Sequence, residues 1–395
     1  MIRLSPTALT VIGQPIGLGC QQCPLLKPCG GIYQGWNCLS QCCGKPEKCN
    51  TACFRSRKYI QTVRDAGGFD INQKWQIAQA LSKLPTYIPH IGHGYGRSEC
   101  SRTRNVALTT YDVLRLGSDC TPTRLREHFK ISPESEVLLL SIAKDNRLEH
   151  YWKREVSQRL PERLATMGIQ YVTAPNYSFP LNVPRPEHLV NRRRSLVSAE
   201  RLSAVGLNVI PHLNAVTQTD WDCWRDFLRD HPHLYFVSME FQTGLCQKFK
   251  AKWHLRQLLN VQEALGRQLH LIAVGGRRHI SFLAELAFVT VVNTVPFMRT
   301  MKRRRFHRLA NNWKPVEPKP GEALDDLWSH NSRAYSRAVS QEFRHFKRQN
   351  LRLLNTDDYG IAETPIETGA LHDSSQLEFW PIADLVPHAA PMLSL

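Results

Sequence analysis

The sequence lacks any run of 18 or more apolar residues, which excludes a transmembrane helix. Gln14 and Pro15 interrupt the apolar stretch near the N-terminus, and seven more cysteines follow Cys20, so we do not expect a lipoprotein signal that ends there. The chain has 395 residues, of which 42% are hydrophobic. This length suits one barrel-sized domain with additions, or two domains, and we expect a cytoplasmic protein with a sizeable core.

Acidic residues are scarce, with 34 Asp and Glu against 51 Lys and Arg, and the formal net charge is +17. No Lys or Arg follows Leu354, so the excess positive charge lies in the part of the chain before it. Such an excess is costly to keep compact unless a polyanion is near. Nucleic acid, either DNA or RNA, is therefore the expected partner, and the alternatives are plain solubility or an anionic membrane surface.

Apolar periodicity is almost absent from residues 20–53, which hold eight of the twelve cysteines. A segment without its own hydrophobic core needs another source of stability, and thiolates bound to metal supply it. Eight thiolates suit two zinc ions or two iron–sulfur clusters, and their spacing does not separate these cofactors. A disulfide scaffold is the alternative. The predicted metal ligands are Cys20, Cys23, Cys29, Cys38, Cys42, Cys43, Cys49 and Cys53.

Eight short and almost continuously apolar runs predict parallel strands that are covered on both faces. They lie at residues 87–91, 106–111, 137–143, 169–173, 207–213, 234–240, 269–274 and 289–294. Helical stretches separate most of these runs. The alternation predicts an α/β fold, specifically a (β/α)8 TIM-like barrel, and an open doubly wound sheet is the alternative.

The predicted domain organisation has four parts. They are a Cys-rich metal-binding module (1–68), the barrel (69–313), a basic helical extension (314–354) and an acidic tail (355–395). Helices are predicted over 69–84, 187–205, 247–265, 280–288 and 323–354, with further helices starting at Thr121, Thr219 and Phe297. Residues 314–322 are predicted to form a Pro-rich hinge.

Polar residues follow nearly every predicted strand, and in a barrel the active site lies at these C-terminal ends. We predict that Asp145 and Glu240 are catalytic, the alternatives being a helix cap for Asp145 and an Arg partner for Glu240. Further polar residues at the strand ends are His90, His93, Thr109, Thr110 and Asp112. The predicted substrate-binding residues are Asn176, Ser178, Arg192, Arg193, His212, Asn214, Gln242, Gly275, Gly276, Arg277, Asn293 and Thr294.

Three basic clusters, 192–194, 277–279 and 302–305, are predicted to hold phosphates at the barrel mouth, and solvated helix faces are the alternative. The pair Gly275–Gly276 lacks the third glycine of a dinucleotide fingerprint, but it would let a phosphate or a base approach the backbone. A tight turn is the alternative for this pair. Candidate stacking surfaces for bases are Tyr177, Phe179, Trp221 and Trp224.

Several segments resemble a family found in bacteria, their phages and mobile elements, over roughly residues 20 to 310. They are the Cys-rich front, PNYSFPLNVPRPEHLVNRRR, GLNVIPHL and VGG with NTVPFMRTMKRRRF. More distantly, a barrel with a glycine pair after the seventh strand is similar to the tRNA-guanine transglycosylase superfamily. Those enzymes exchange a nucleobase through a carboxylate that attacks the sugar, and the resemblance implies that Asp145 and Glu240 perform the two acidic roles. Their zinc ligands form a C-terminal cluster, whereas these cysteines precede the barrel.

One function and two alternatives to it are therefore expected. The first is an enzyme that modifies or exchanges a base of nucleic acid and carries a structural metal module. The alternative is a non-catalytic, metal-dependent DNA- or RNA-binding protein of a mobile element. An iron–sulfur redox enzyme is a second alternative.

Overall fold

The computed structural model describes residues 57–80, 83–179, 185–309 and 312–354. The eight predicted metal ligands and the acidic tail lie outside these ranges. The chain divides into two units, Met1–Lys347 and Arg348–Leu395, and the fold described below belongs to the first, except for the last seven residues of the final helix. Within the described residues, no helix is long and apolar enough to cross a membrane.

Eight parallel strands form where the apolar runs predict them. They are β1 (Tyr87–Pro89), β2 (Asn105–Thr109), β3 (Glu136–Leu140), β4 (Tyr171–Thr173), β5 (Asn208–Ile210), β6 (Phe236–Glu240), β7 (His270–Val274) and β8 (Phe288–Asn293). They make two four-stranded sheets, with the orders β1-β8-β7-β6 and β2-β3-β4-β5. The fold is therefore mixed α/β with two parallel sheets. The alternation of strands and helices in the sequence predicts this fold class.

Two isolated parallel bridges lie between the sheets. His90 pairs with Ala107 beside β1 and β2, and His212 pairs with Ser238 beside β5 and β6. The amide of Ile91 donates to the carbonyl of Ala107 at 2.9 Å at the first of these places. Continuous ladders stop at both places, so a complete (β/α)8 barrel is not shown.

Eleven α-helices occur in the described residues. They are α1 (Arg57–Ala66), α2 (Thr110–Leu114), α3 (Pro122–Phe129), α4 (Asp145–Arg154), α5 (Leu160–Ala165), α6 (Arg185–Ala204), α7 (Gln218–Asp230), α8 (Lys248–Leu265), α9 (Ile280–Leu283), α10 (Val295–Met301) and α11 (Leu324–Leu354). Two predicted signals are confirmed. Thr121 caps α3 by accepting a hydrogen bond from the amide of Arg124, and Gly266 ends α8 with a φ of +61°.

The helix predicted over residues 69–84 is wrong, because the described residues from 69 to 80 form no helix. Their polar groups bond to the strands instead. Val209 donates its amide to the carbonyl of Ala78 at 3.0 Å. The side chain of Gln79 donates to the carbonyls of Val209 and Phe236 at 3.0 Å each. This segment thus satisfies backbone groups at the start of β5 and β6, which competes with helix formation.

Two helix boundaries also differ from the prediction. The cap of α7 is Thr217 rather than Thr219, and it forms a capping box with Asp220. The sequence T-x-x-D at 217–220 carries this signal. Helix α9 ends at Leu283, because Phe288 already begins β8.

The end of the predicted barrel also departs from expectation. Helix α10 ends at Met301, so the basic residues that follow are not on a helix. Arg303 has a φ of 47°, and Arg305 begins a strand, β9 (Arg305–Leu309). This strand pairs antiparallel with β10 (Asn312–Val316), so part of the predicted Pro-rich hinge is a strand.

The strands divide their side chains between two buried clusters. The smaller cluster contains Ile88, Ala107, Ile210 and Ile272 from four different strands. The larger cluster packs the other strand faces against the helices. Helix α11 contributes to this larger cluster with Trp328, Ala334, Tyr335, Val339 and Phe343.

Candidate active site at the strand ends

The C-terminal ends of parallel strands lie at one edge of each sheet, and several polar residues share the face of the smaller cluster there. His90 lies two residues after Ile88, and His212 lies two residues after Ile210, so alternation places each histidine on that face. Glu240 ends β6 on the same face as Phe236. The structure therefore brings Glu240 and the two histidines to the strand ends.

Glu240 is buried, with 8% of its surface exposed, and hydrogen bonds from its own turn hold it. Its Oε1 accepts from the amides of Gln242 and Thr243, and its Oε2 accepts from Thr243 Oγ1 at 2.7 Å. Burial raises the pKa of Glu240, although these hydrogen bonds oppose the shift. Among the described residues it forms no salt bridge, so an Arg partner is not what holds it. A carboxyl group with a raised pKa suits general acid or base chemistry.

Asp145 has a different environment from Glu240. It is exposed, it begins α4 after β3, and its Oδ1 accepts a hydrogen bond from Ser178 Oγ at 2.6 Å. A negative charge in the first turn of a helix is stabilising. The two predicted catalytic carboxylates thus follow strands of different sheets, and the position of Asp145 favours a role at the helix start.

His212, which is buried, and His90, which is half-buried, are neutral at physiological pH. Burial lowers the pKa of His212 to about 3. Burial also lowers the pKa of His90 to about 4, against a smaller opposing effect of Asp112. His212 Nδ1 lies 2.9 Å from Ser238 Oγ, and the Nε2 atoms of both histidines are buried without a hydrogen-bond partner in the described part of the chain.

Asp112 was a strand-end candidate, and it organises the loop after β2. Its Oδ2 accepts a hydrogen bond from Thr109 Oγ1 at 2.6 Å, and its Oδ1 lies 3.7 Å from Arg147 Nη1. Thr109 also caps α2 by accepting from the amide of Asp112. These contacts connect the loops after β2 and β3.

Three predicted substrate-binding residues lie together but bond mainly to the protein. Asn214 Nδ2 donates to Asn176 Oδ1 at 2.7 Å and to the carbonyl of Tyr177 at 2.8 Å. The carbonyl of Ser178 accepts from Asn191 Nδ2 at 2.9 Å. Asn176, Ser178 and Asn214 therefore fix the loops after β4 and β5 at the strand ends.

The glycine pair after β7 is explained by packing within the protein. Gly275 has a φ of +78°, and a Cβ atom there would overlap the side chain of Gln242. A Cβ on Gly276 would lie 3.0 Å from Leu283 Cδ1. Close packing against Gln242 therefore explains why position 275 is a glycine. This corresponds to the tight-turn alternative for the pair.

Asn293 and Thr294 shape the start of α10. Asn293 Oδ1 accepts a hydrogen bond from the amide of Val295 at 2.7 Å, and its carbonyl accepts from the amide of His90 at 3.1 Å. Thr294 occupies the N-cap position, and its carbonyl accepts from the amide of Met298. Both residues therefore accept hydrogen bonds from backbone amides, at the start of α10 and beside β1.

The cluster at 192–194 does not form an exposed phosphate-binding surface. Arg192 is 1% exposed and donates Nη1 to Asp220 Oδ1 at 2.8 Å. Arg194 is 2% exposed, and its guanidinium lies 4.0 Å from the ring centroid of Tyr177. Arg193 lies over the ring of Trp75 at 5.4 Å. The prediction that residues 192–194 hold phosphates at the barrel mouth is therefore wrong, because these arginines pack within the protein.

The predicted stacking aromatics and Arg277 are also used internally. Tyr177, Trp221 and Trp224 are each 1% exposed, so they cannot stack on an external base. Arg277 donates Nη2 to Glu342 Oε1 at 2.6 Å and lies over Tyr335 at 4.6 Å. Its guanidinium connects the turn after β7 to α11.

A basic ridge that was not predicted lies after β6 and β7. We define it as Lys248, Phe249, Lys250, Lys252 and Arg278. Phe249 is 49% exposed, and Lys250 Nζ lies 5.9 Å from the centroid of its ring. Lys248 and Lys252 lie over the ring of Phe282, at 5.6 and 5.7 Å. The letters KFKAK at 248–252 are the sequence signal for this ridge.

Arg278 and Lys248 both lie near enough to His279 to influence its ring. Burial lowers the pKa of His279, and the positive charges of Arg278 and Lys248 add to this effect. Arg278 is exposed, and the first turn of α8 contains no acidic residue. The ridge is thus a cationic surface with one exposed aromatic ring, and its lysines lie on the segment that follows Glu240.

No protein-family model matches the chain, and no curated protein matches it. Within the described residues, no group of three or more His, Cys, Asp or Glu side chains could hold a metal ion. The predicted zinc or iron–sulfur ligands lie outside that part of the chain.

Proposed function

We propose that this protein is an enzyme that acts on nucleic acid and modifies or exchanges a base at the C-terminal ends of its strands. The observation that carries the proposal is the basic ridge, which follows the buried carboxyl group of Glu240 by eight residues along the chain. The predicted zinc or iron–sulfur module of residues 20–53 is part of this proposal, as a structural element that grips the polymer.

The proposal takes the two sheets as one (β/α)8 barrel. The order of the strands in each sheet and the two parallel bridges, His90 to Ala107 and His212 to Ser238, support this reading. In a closed ring, residues that end different strands surround one mouth. Glu240, His90 and His212 would then line a common site.

The charges of the ridge favour a polyanion as the partner. Cations in the first turn of a helix are unfavourable, by roughly 0.3–1 kcal/mol each, because the helix dipole is positive at that end. Helix α8 nevertheless begins with Lys248 and Lys250. A phosphate backbone would compensate this repulsion, and the exposed ring of Phe249 offers a stacking surface to an unpaired base.

Glu240 is the residue assigned to the chemistry. In a transglycosylase-like exchange, its carboxylate would attack the anomeric carbon of the sugar while the base leaves, and an incoming base would then displace the carboxylate. Asp145 is assigned the second acidic role. The distant resemblance to the transglycosylases suggests this pair, and the raised pKa of Glu240 is compatible with proton transfer as well.

The substitution Glu240→Gln tests the assignment without removing the turn that holds the residue. The Gln carbonyl can still accept from the amides of Gln242 and Thr243, so folding should be retained. Nucleosides from DNA and RNA incubated with the wild type should contain a new or exchanged base by mass spectrometry, and E240Q should produce none. Wild-type protein that leaves every nucleoside unchanged would contradict catalysis.

The alternative is a nucleic-acid-binding protein without catalysis. One observation favours it: the three hydrogen bonds within its own turn already give Glu240 a structural role. The same experiment separates the two functions. Binding with full retention of nucleosides in the wild type would support the alternative.

A further inference from the structure

Helix α11 presents a line of arginines on the side that faces away from the core. Arg333, Arg337 and Arg344 are exposed, and they are separated by four and seven residues. At 3.6 residues per turn these spacings place the three within about 40° of one another around the helix axis. At about 1.5 Å per residue, the line is about 16 Å long. We call these three residues the arginine stripe.

The opposite side of α11 is buried and apolar. Tyr335, Ala338, Val339 and Phe343 are each at most 5% exposed. The exposed large hydrophobic residues of the described chain all lie on other elements than α11. A helix that rests on a membrane inserts an exposed apolar face, and this helix has already buried its own in the core. The stripe therefore does not fit a lipid surface.

The charges of the stripe are not balanced by acidic residues of the same helix. After its first turn, α11 has a single acidic residue, Glu342. This residue lies about half a turn away from the stripe and pairs with Arg277 at 2.6 Å. Among the described residues, no acidic side chain forms a salt bridge with the stripe, and Arg333 donates only to the carbonyl of Ser329, at 3.1 Å.

The arginines of α7 show the usual arrangement of a solvated helix. Arg225 lies 3.1 Å from both Asp222 and Asp226, and Arg229 lies 3.1 Å from Asp226. Opposite charges at such spacings stabilise a helix, and like charges four residues apart destabilise it. The stripe begins with a like-charged pair of this kind. Its cations are thus left free for an external anion.

The length of the stripe selects the kind of anion. A single phosphate or carboxylate group cannot contact cations that are spread over about 16 Å. Each strand of a nucleic-acid duplex, in contrast, carries a charge about every 3.4 Å along its axis. Arginines that contact phosphates position such a polymer without reading its sequence.

Helix α11 also contacts the turn that contributes to the ridge. Arg277, the neighbour of Arg278 in the chain, bonds to Glu342 and lies over the ring of Tyr335 at 4.6 Å. The ridge and the stripe therefore belong to elements in direct contact.

We propose that the arginine stripe of α11 is a second binding surface for the phosphate backbone of the nucleic acid that binds at the ridge. This inference rests on the proposed function, because it takes nucleic acid as the partner. It adds a surface that contributes affinity and leaves the chemistry to Glu240. Since the stripe contacts phosphates, it strengthens binding to all sequences alike.

The salt dependence of binding to fluorescent single-stranded DNA tests the stripe. The test variant carries Arg333→Gln, Arg337→Gln and Arg344→Gln together. Glutamine is a good helix former and the three side chains are exposed, so the urea midpoint should be retained. The slope of log Kobs against log salt should become shallower by about 2, because each lost phosphate contact removes about 0.7. An unchanged slope would overturn the proposal.

Two control variants separate charge from other effects. The same three positions changed to lysine keep the charge and should keep the slope. Glutamine at Arg124, Arg225 and Arg229 removes three arginines that already have acidic partners, and it should change the slope by less than 1. A lysine variant that loses as much slope as the glutamine variant, or an equal loss in the paired-arginine control, would contradict the stripe.

The result is distinguishable from a failure of the proposed function. Wild-type protein that binds nucleic acid with the same slope as the stripe variant removes the stripe alone. Wild-type protein that binds no nucleic acid removes both. Binding to anionic vesicles of phosphatidylserine and phosphatidylcholine that only the stripe variant loses, without binding to nucleic acid, would assign the stripe to a membrane and overturn the proposal.

Discussion

Four histidines with lowered pKa values should make the protein sensitive to mild acid. Burial lowers the pKa of His212 and His254 to about 3, and that of His90 to about 4. Burial, with a contribution from Lys83, lowers the pKa of His270 to about 4. In the unfolded chain these side chains titrate near pH 6.5. The folded state excludes protons that the unfolded state binds, so stability is complete above about pH 6.5 and falls as the pH drops toward 4.

The size of the effect follows from the difference between the two pKa values. At pH 5.5, one pH unit below the unfolded pKa, each histidine costs about 1.4 kcal/mol of unfolding free energy. The four together cost roughly 5 to 6 kcal/mol, which is comparable to the whole stability of many domains. Glu155 and Glu240 act in the opposite direction because burial raises their pKa values. A comparison of variants therefore isolates the histidine effect better than the wild type alone.

The assay is urea unfolding at pH 7.5 and pH 5.5, with His254→Leu as the test variant. His254 packs against Trp253 and Trp221, at 4.6 and 5.9 Å between ring centroids, and leucine at this position cannot bind a proton. The loss of stability between the two pH values should be smaller in H254L by about 1.4 kcal/mol. Leucine at the exposed His150 should leave the loss unchanged. If H254L loses as much stability as the wild type, the reasoning about neutral buried histidines is refuted.

Three further substitutions have defined outcomes in denaturant unfolding. Asp220→Asn should cost about 3–5 kcal/mol at pH 7, because it leaves Arg185 and Arg192 without their shared charge; a cost below 1 kcal/mol would contradict this. Gly275→Ala should destabilise the protein by about 1–2 kcal/mol because position 275 has a positive φ, and the contact of the new Cβ with Gln242 should add to this cost. The double variant with Gln242→Ala should recover the part of the cost that comes from the contact. If the double variant recovers nothing, the contact is unimportant. Thr217→Ala should cost about 1 kcal/mol through loss of the capping box, and Thr219→Ala, its control, should cost almost nothing.

The positions of the strands could be predicted from the sequence because parallel strands covered on both faces read as short apolar runs. Residues 236–240 and 288–293 are buried almost throughout, and periodicity of this kind is local information. Residues 69–80 could not be predicted, since their helix-like spacing is overridden by hydrogen bonds to residues more than 100 positions away. Local propensity does not contain such contacts.

The candidate site shows the same division. The burial of Glu240 at the end of β6 could be predicted from the apolar run that it ends, while its catalytic role stays a prediction. The burial of Arg192 and Arg194 could not, because a run of three arginines looks solvated until the position of Asp220 is known. The lysines of the basic ridge are visible in the letters KFKAK, but the contribution of Arg278 depends on how α8 packs near the turn after β7.

The central proposal is that nucleic acid binds at the ridge that follows Glu240 along the chain. Its most direct test is the salt dependence of binding to fluorescent single-stranded DNA and RNA. The test variant neutralises Lys248, Lys250, Lys252 and Arg278 with glutamine. The control neutralises four exposed cations near the opposite strand ends, namely Arg102, Arg104, Lys153 and Arg154. We predict that the slope of log Kobs against log salt becomes shallower by about 2 to 3 in the ridge variant and changes little in the control. Equal slopes in both variants, or binding by the wild type that does not depend on salt, would contradict the account.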